Sequence, residues 1–489
     1  MLLFLSFFIL SVVGYPELQS NDTAAVRAIA MRTQRDVMRN NSIIDTAVYG
    51  IDLNRVVFDQ FGYNSSSLSV FQDILCTGVQ ALVLNLYYNE ALKDWGLCDL
   101  SSNTTSLGCQ DARNFNISAV VTSINTVLAK TDTGVNKNIF FLLLNLFSTF
   151  NKDSKFRTGI GVLSSSIAEL SYASSPALLG ELDTVNLNSF LFGDKNRAIP
   201  VILSNNLYTN TSYNLSPDLN TLYQANTTIP IMYSPNDNLT CSAPKSFQFA
   251  YDTPANPYDN NSFHNALVCG YSPIISQRSQ DLSQISKLLP YSMWSWDAFQ
   301  PNLTISRSLK RKNDSSEAKK DDYLNRCGIV TPTGWKATSC HLDFQVACAD
   351  RLNSTRIKLT SDKFTYFEAG AACSQLDGDY VFTVPSSPLE QRTLINLLGG
   401  EKSAWIDMNS LSSSNCWVNG GPNAVCPYQP LVSKTIFKEM ISLASAIALV
   451  LLLLLLIVQM DRLPVHRNRS HWRRLLKHKL QNEFEGIPS

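Results

Sequence analysis

The chain has 489 residues, 45% of them apolar and 16% charged, with 40 Lys and Arg balancing 40 Asp and Glu. That length and apolar share predict two or three domains with buried cores and exclude a disordered chain, and the lack of a basic field excludes charge-driven nucleic-acid binding. The neutrality is uneven: from Asp461 onward there are seven basic and three acidic residues, which leaves a mildly acidic body and a basic tail.

Met1 to Val13 is almost wholly Leu, Phe, Ile and Val and gives way at Gly14 to the polar Tyr15-Pro16-Glu17. Residues 1–14 therefore read as a cleaved signal peptide, too short to span a bilayer. From 15 to 305 apolar runs alternate with amphipathic stretches. Ile43 to Tyr49, Val79 to Leu86, Ile139 to Phe147, Ile199 to Leu203 and Ile229 to Tyr233 read as strands buried on both faces, and Ser118 to Lys130, Leu163 to Leu170 and Asp281 to Leu289 have helical spacing. This alternation predicts a parallel α/β layer, and the length of the region favours a (β/α) barrel over a short doubly wound sheet. Three strands end on Asn85, Asn145 and Asn205; in a barrel these positions face the C-terminal mouth, though Asn also simply terminates strands.

Residues 306–322 (SRSLKRKNDSSEAKKDD) lack apolar periodicity and read as a charged linker, within which Lys310-Arg311 fits solubility better than processing. A cysteine-dense module follows over 323–430. Residues 440–460 contain MISLASAIALVLLLLLLIV, uncharged and long enough to cross a bilayer, and the basic 461–489 tail predicts a cytosolic C terminus by positive-inside asymmetry. The sequence thus predicts a single-pass type I membrane protein of the secretory pathway or cell surface. Two features agree with a lumenal body. Acceptor sequons occur at Asn21, Asn40, Asn64, Asn103, Asn116, Asn210, Asn214, Asn226, Asn238, Asn260, Asn302, Asn313 and Asn353, and all 11 cysteines lie between Cys76 and Cys426. Cys98 with Cys109 and Cys241 with Cys269 suit local bridges, and Cys76, in an apolar run, is expected as a buried free thiol.

No catalytic constellation is complete. The five histidines begin at His264, and His264 and His341 fall in different regions. There is no HExxH, CxxC, Gly-x-Ser-x-Gly or phosphate-binding glycine loop. Asp45, Asp52 and Asp73 are weighed as cation ligands and set aside, because carboxylates on separate elements are more often solvated. No catalytic, cofactor-binding or metal residues are assigned.

The segment FQDILCTGVQALVLNLYY, Phe71 to Tyr88, resembles the second-strand region of phosphatidylinositol-phospholipase-C-like barrels. That family works with two histidines; here the first strand offers Asp45-Thr46 and the second Asn85-Leu86-Tyr87, so the resemblance implies a degenerate barrel without acid–base carriers. Tyr366 to Asn409, with Ala369, Cys373, Glu390 and Trp405, resembles the opening half of a C-type lectin-like domain, and Cys327 to Cys348 resembles its closing half, in permuted order. The resemblance implies the pairs Cys327–Cys340 and Cys348–Cys373, leaving Cys416–Cys426. At the calcium-binding stretches this chain reads Gly421-Pro422-Asn423 and Trp335-Lys336-Ala337, which lack the oxygens a calcium site requires. The joined pattern, including QRDVMRNNSIIDTAVYGIDL (Gln34 to Leu53), WSWDAFQP (Trp294 to Pro301) and CGIVTPTGW, resembles the fungal maintenance of telomere capping protein 6 family over essentially the whole chain. It implies a link to telomere capping that a lumenal body could make only indirectly. The expectation is a non-enzymatic glycoprotein scaffold or receptor with a membrane and an unknown protein or glycan partner, without cofactors or direct nucleic-acid contact. The alternatives are a phosphodiesterase-like or glycan-modifying enzyme, or a cell-wall carbohydrate binder using Trp294, Trp296, Trp335 and Trp405.

Overall fold

The computed structural model describes residues 21–89, 93–98, 116–149, 163–170, 173, 184–206, 213–224, 231–232, 248–277, 282–302, 325–399, 402–428, 442, 445–457 and 469–483. The predicted signal peptide, the 306–322 linker with Lys310-Arg311, the acceptors Asn103, Asn210, Asn226, Asn238 and Asn313, and Cys109 and Cys241 lie outside them.

Eight parallel strands form the first sheet, in the order β6-β5-β4-β2-β1-β9-β8-β7. They are β1 (Gly50–Asp52), β2 (Ala81–Asn89), β4 (Phe140–Thr149), β5 (Ala198–Asn206), β6 (Tyr223–Gln224), β7 (Ile231–Met232), β8 (Phe249–Tyr251) and β9 (Ser272–Ile275), and a short β3 (Asp94–Gly96) adds antiparallel to β2. No pairing joins β6 to β7 among the described residues, so the strands described form a partial barrel. β2 and β4 run in unbroken register from Ala81↔Phe141 to Asn89↔Thr149. Their apolar residues are buried on both faces, as parallel strands covered by helices require. Gly50 lets β1 come close: a Cβ there would lie 2.6 Å from the Ala81 carbonyl oxygen and 2.7 Å from the Ala81 Cβ. Inside the barrel, Phe141 and Phe249 meet edge to face at 5.9 Å.

The first strand is not where the apolar run predicts it. Ile43–Asp45 makes a 3₁₀ turn capped by the Ser42 hydroxyl, and the strand begins five residues after Asp45, at Gly50. Helix α1 (Asn21–Val37) also escapes hydrophobic periodicity, because the face it buries is largely polar, with Arg27, Thr33, Gln34 and Arg35 buried beside Ile29 and Ala30. Arg27 donates to the Ser292 hydroxyl at 2.9 Å, to the Tyr49 hydroxyl at 2.6 Å and to the Thr77 carbonyl. The Gln34 side-chain Oε1 accepts from the Trp294 and Ser295 amides and the Ser295 hydroxyl.

The cysteine module builds a second sheet, β11-β10-β15-β12-β13, with β14 beside β12. Its strands are β10 (Cys327–Thr331), β11 (Gly334–Thr338), β12 (Gln345–Asp350), β13 (Ile357–Leu359), β14 (Tyr380–Phe382) and β15 (Ala404–Asn409). β15 pairs with both β10 and β12, so the segments on either side of Ile357 close one sheet. Disulfides join Cys327 to Cys340, Cys348 to Cys373 and Cys416 to Cys426. Cys98 and Cys269 are also disulfide-bonded. Cys76 is free but exposed, against the expectation of a buried thiol, because it ends helix α2 (Ser65–Cys76) on that helix's outer side.

Residues on both sides of the predicted linker share one compact unit ending at Tyr428, and one hydrophobic core runs through both. The seam is a tryptophan knot. Trp335 packs edge-on against Trp294 at 5.8 Å and Trp296 at 5.6 Å, and Trp296 meets Trp417 at 5.0 Å. The Trp335 amide donates to the Ser295 carbonyl at 2.7 Å, the Asp297 amide to the Trp335 carbonyl at 3.0 Å, and the Trp335 indole to Gln391 at 2.8 Å. Beyond Tyr428, residues 445–457 are helical and exposed, as is helix α3 (Arg469–Glu483). No helix of the described residues is long and apolar enough to cross a membrane, and the remainder of the predicted 440–460 span lies outside them, apart from residue 442.

Candidate functional site

The C-terminal ends of the parallel strands gather the polar residues of the barrel. β1 ends on Asp52, whose carboxylate accepts from the Arg55 amide at 3.1 Å and lies 3.8 Å from the half-exposed Arg55 guanidinium. Burial pushes the Asp52 carboxyl up to about 6, outweighing the opposing pull of the Arg55 amide and charge. On β2 and β4 the half-buried positions are Asn85 and Tyr87, then Asn145 and Phe147, each pair in register. The Asn145 side-chain Nδ2 donates to the Asn85 side-chain Oδ1 at 3.0 Å, and the rings of Tyr87 and Phe147 stack at 5.2 Å.

The amide chain continues into the helical turn Asn54–Phe58 that follows β1. Asn54 accepts from the Asn85 backbone amide at 2.7 Å and donates to the Tyr63 hydroxyl and the Leu97 carbonyl, both at 3.3 Å. Tyr63 in turn donates to Asp59 at 3.2 Å. Tyr251, at the end of β8, is raised well above the ordinary tyrosine range by burial and then by the Asp52 charge, with Asn145 opposing. Asp252 follows it, fully buried, accepting from the Ser276 amide at 2.6 Å and hydroxyl at 2.8 Å, and burial raises its pKa as well. Asn85 and Asn145 thus converge as a barrel mouth requires. Asn205 does not fall in line with them, because a register shift after Leu144 sets it opposite Leu146.

The remaining candidates scatter. Asp45 precedes the N-terminal end of β1, across the sheet from the mouth, and its pKa is raised by burial and, after the opposing Ser42 amide, by Glu390. Asp73 sits on helix α2. With Asp52 at the opposite end of β1, the three cannot share a cation, and the described residues hold no group of three His, Cys, Asp or Glu able to bind a metal. His264 lies on helix Asn260–Val268 outside the barrel, where burial lowers its pKa, and His341 is exposed against Phe367. In the cysteine module, Asp407 accepts from the Gly420 and Gly421 amides at 2.9 and 2.7 Å, so a carboxylate pins the loop where the lectin resemblance would look for calcium.

All four tryptophans proposed for carbohydrate binding are fully buried, which removes them as a sugar-stacking surface. A 410 Å³ groove on the barrel flank, between Tyr258 and Lys287, is lined by Asp259, whose carboxylate is already engaged in a capping box with Ser262. Among the described sequons, Asn40, Asn64, Asn214, Asn260, Asn302 and Asn353 are exposed and Asn116 half-buried.

A partial parallel β/α barrel, with an amide-lined mouth and a disulfide-stapled module on the same core, defines the class of protein. A family model described as the MTC6 partial TIM-barrel domain matches residues 21–295, more than half of the chain, and the chain belongs to this family. It is 26% identical to the maintenance of telomere capping protein 6 of Komagataella phaffii over 94% of this chain and 95% of that one. Identity to the Meyerozyma guilliermondii protein of the same name is 27%, with both chains wholly covered, and to the Saccharomyces cerevisiae protein 28%, covering 94% and 91%. Among solved structures, a calcium-dependent phosphoinositol-specific phospholipase C from Pseudomonas is similar over 52% of this chain and 89% of its own, at 12% identity and a TM-score of 0.28. A likeness that distant carries nothing about chemistry.

Proposed function

We propose that the protein is a non-enzymatic, single-pass type I membrane glycoprotein that acts as a scaffold or receptor in the secretory system. The degenerate barrel and a calcium-free, C-type lectin-like module form its lumenal body, and any link to telomere capping is indirect. The observation that carries the reading is the make-up of the barrel mouth: where acid–base chemistry needs a proton donor and acceptor, this chain presents the linked amides Asn54, Asn85 and Asn145. Exposed sequons, the disulfides and the exposed leucines of 449–456 support a lumenal, membrane-anchored body.

The enzymatic alternative draws on Asp52, whose raised pKa suits a general base near neutrality. Its neighbour Tyr251 holds its proton too tightly to serve as the matching acid. The test is phosphodiester and glycoside turnover by the purified protein, with Asp52→Asn as the diagnostic variant. No turnover above background is expected; turnover that vanishes in Asp52→Asn would overturn the reading.

A further inference from the structure

Helix α3 (Arg469–Glu483) has a face that nothing in its own unit accounts for. Trp472, Leu475, Leu476 and Leu480 are 64%, 52%, 56% and 55% exposed. Their i, i+3, i+4, i+8 spacing places them along one side of an α-helix. Arg473, Arg474 and Lys477 occupy the adjoining side, Lys479 lies among the leucines, and Arg469 opens the helix; Glu483 is its one acidic residue.

An apolar side flanked by a basic one, in a helix of low mean hydropathy, suits a position in the plane of an anionic bilayer surface. We infer that Arg469–Glu483 is such a helix, resting on the anionic leaflet beside the apolar 440–458 segment with Trp472 and the leucines inserted. The inference rests on the type I reading for the side of the membrane concerned. Charge complementarity selects this occupant: five Lys and Arg against one Glu match anionic headgroups, while the apolar side matches the acyl boundary just below them. Lys479, in the middle of the apolar side, can extend its stem through the leucines and keep its ammonium among the headgroups. A coiled-coil partner would need an apolar seam over three or four heptads, and 15 residues supply two. A nucleic acid would use the basic side and leave Trp472 and three leucines in water. The ten residues 459–468 span at most about 36 Å, so a chain anchored at 458 keeps the helix within reach of the surface.

The test uses full-length protein in lipid nanodiscs, with Cys76→Ser removing the free thiol described above and Leu476→Cys carrying an environment-sensitive fluorophore. Gln481→Cys, on the opposite side, serves as the comparison. In discs containing about one-third phosphatidylserine, acyl-chain quenchers should reach position 476 and spare 481. Replacing Lys477 with Gln should weaken the contact about fivefold, and high salt should largely release it. Equal water exposure at 476 and 481, or identical quenching in pure phosphatidylcholine and phosphatidylserine discs, would overturn the inference. Both faces of a disc are open, so the readout does not depend on orientation; failure of the type I reading registers separately, as glycan on Asn468, the acceptor of the tail's one sequon, Asn468-Arg469-Ser470.

Discussion

Replacing Gly334 with Ala should break the seam between barrel and module. Gly334 has φ +130°, and a Cβ there would lie 2.7 Å from the Asp297 nitrogen, 2.9 Å from the Trp296 carbonyl carbon and 3.0 Å from the Asp297 Cα. These are backbone atoms, so no rotamer change relieves the overlap. The conformation alone costs an alanine about 1–3 kcal/mol. Moving the strands apart strains the hydrogen bonds from Trp335 to Ser295 and from Asp297 to Trp335, each worth about 1 kcal/mol. The expected loss is roughly 3–5 kcal/mol, a large part of the stability of an ordinary domain. Denaturant unfolding followed by tryptophan fluorescence reads it directly, since Trp294, Trp296 and Trp335 all sit at the seam. Gly370→Ala is the matched comparison: it lies in helix Ala369–Ser374 with nothing within 4 Å of the new Cβ, and should be neutral or stabilising by up to about 1 kcal/mol. Gly334→Ala within about 0.5 kcal/mol of the parent, or indistinguishable from Gly370→Ala, would refute this account of the seam.

Asp52 gives a pH signature. Its folded pKa of about 6 stands above the unfolded value of 3.8, so the folded state favours the protonated form; this group's contribution to stability is fullest below pH 4, falls between about pH 4 and 6, and levels off above. Asp52→Asn should flatten that window and raise stability at pH 7 by roughly 1–3 kcal/mol, and a lower stability with the same pH slope would contradict it. A bulky maleimide should label Cys76 in the native, unreduced protein, because that thiol is exposed and free; labelling only after denaturation would mean it is covered. Glycosidase treatment should markedly increase the protein's gel mobility, with glycopeptides found at exposed Asn40, Asn64, Asn260 and Asn353 and none at Asn468; a bare Asn353 with a glycosylated Asn468 would invert the topology.

The sequence by itself determined the elements that are apolar on every face. β2, β4 and β5 were legible because a parallel strand under helices needs Val, Ile and Leu at each position, as 81–84, 141–144 and 199–202 nearly all show. Family membership was carried by the resemblance of the CGIVTPTGW and WSWDAFQP segments, and the module's disulfide pairs were implied by its resemblance to C-type lectin-like domains. β1, β8 and β9, at three or four residues, are too short to show a period. Only the tertiary structure decided where the carboxylates stand. Asp45 looks like the first-strand residue because Ile43 and Ile44 precede it, yet a hydroxyl-capped turn there puts Asp52 at the mouth instead. Helix α1 was hidden for a related reason: its buried Arg27, Gln34 and Arg35 read as surface residues until their partners arrive from chain positions as distant as Ser292 and Trp294. The same holds for the tryptophans, which at such positions are more often core than sugar platforms, and which the structure places in the core where Trp335 closes over Trp294 and Trp296. Burial and pairing between residues hundreds of positions apart are properties of the folded chain, and it is there that the linked amides of Asn54, Asn85 and Asn145 become one site.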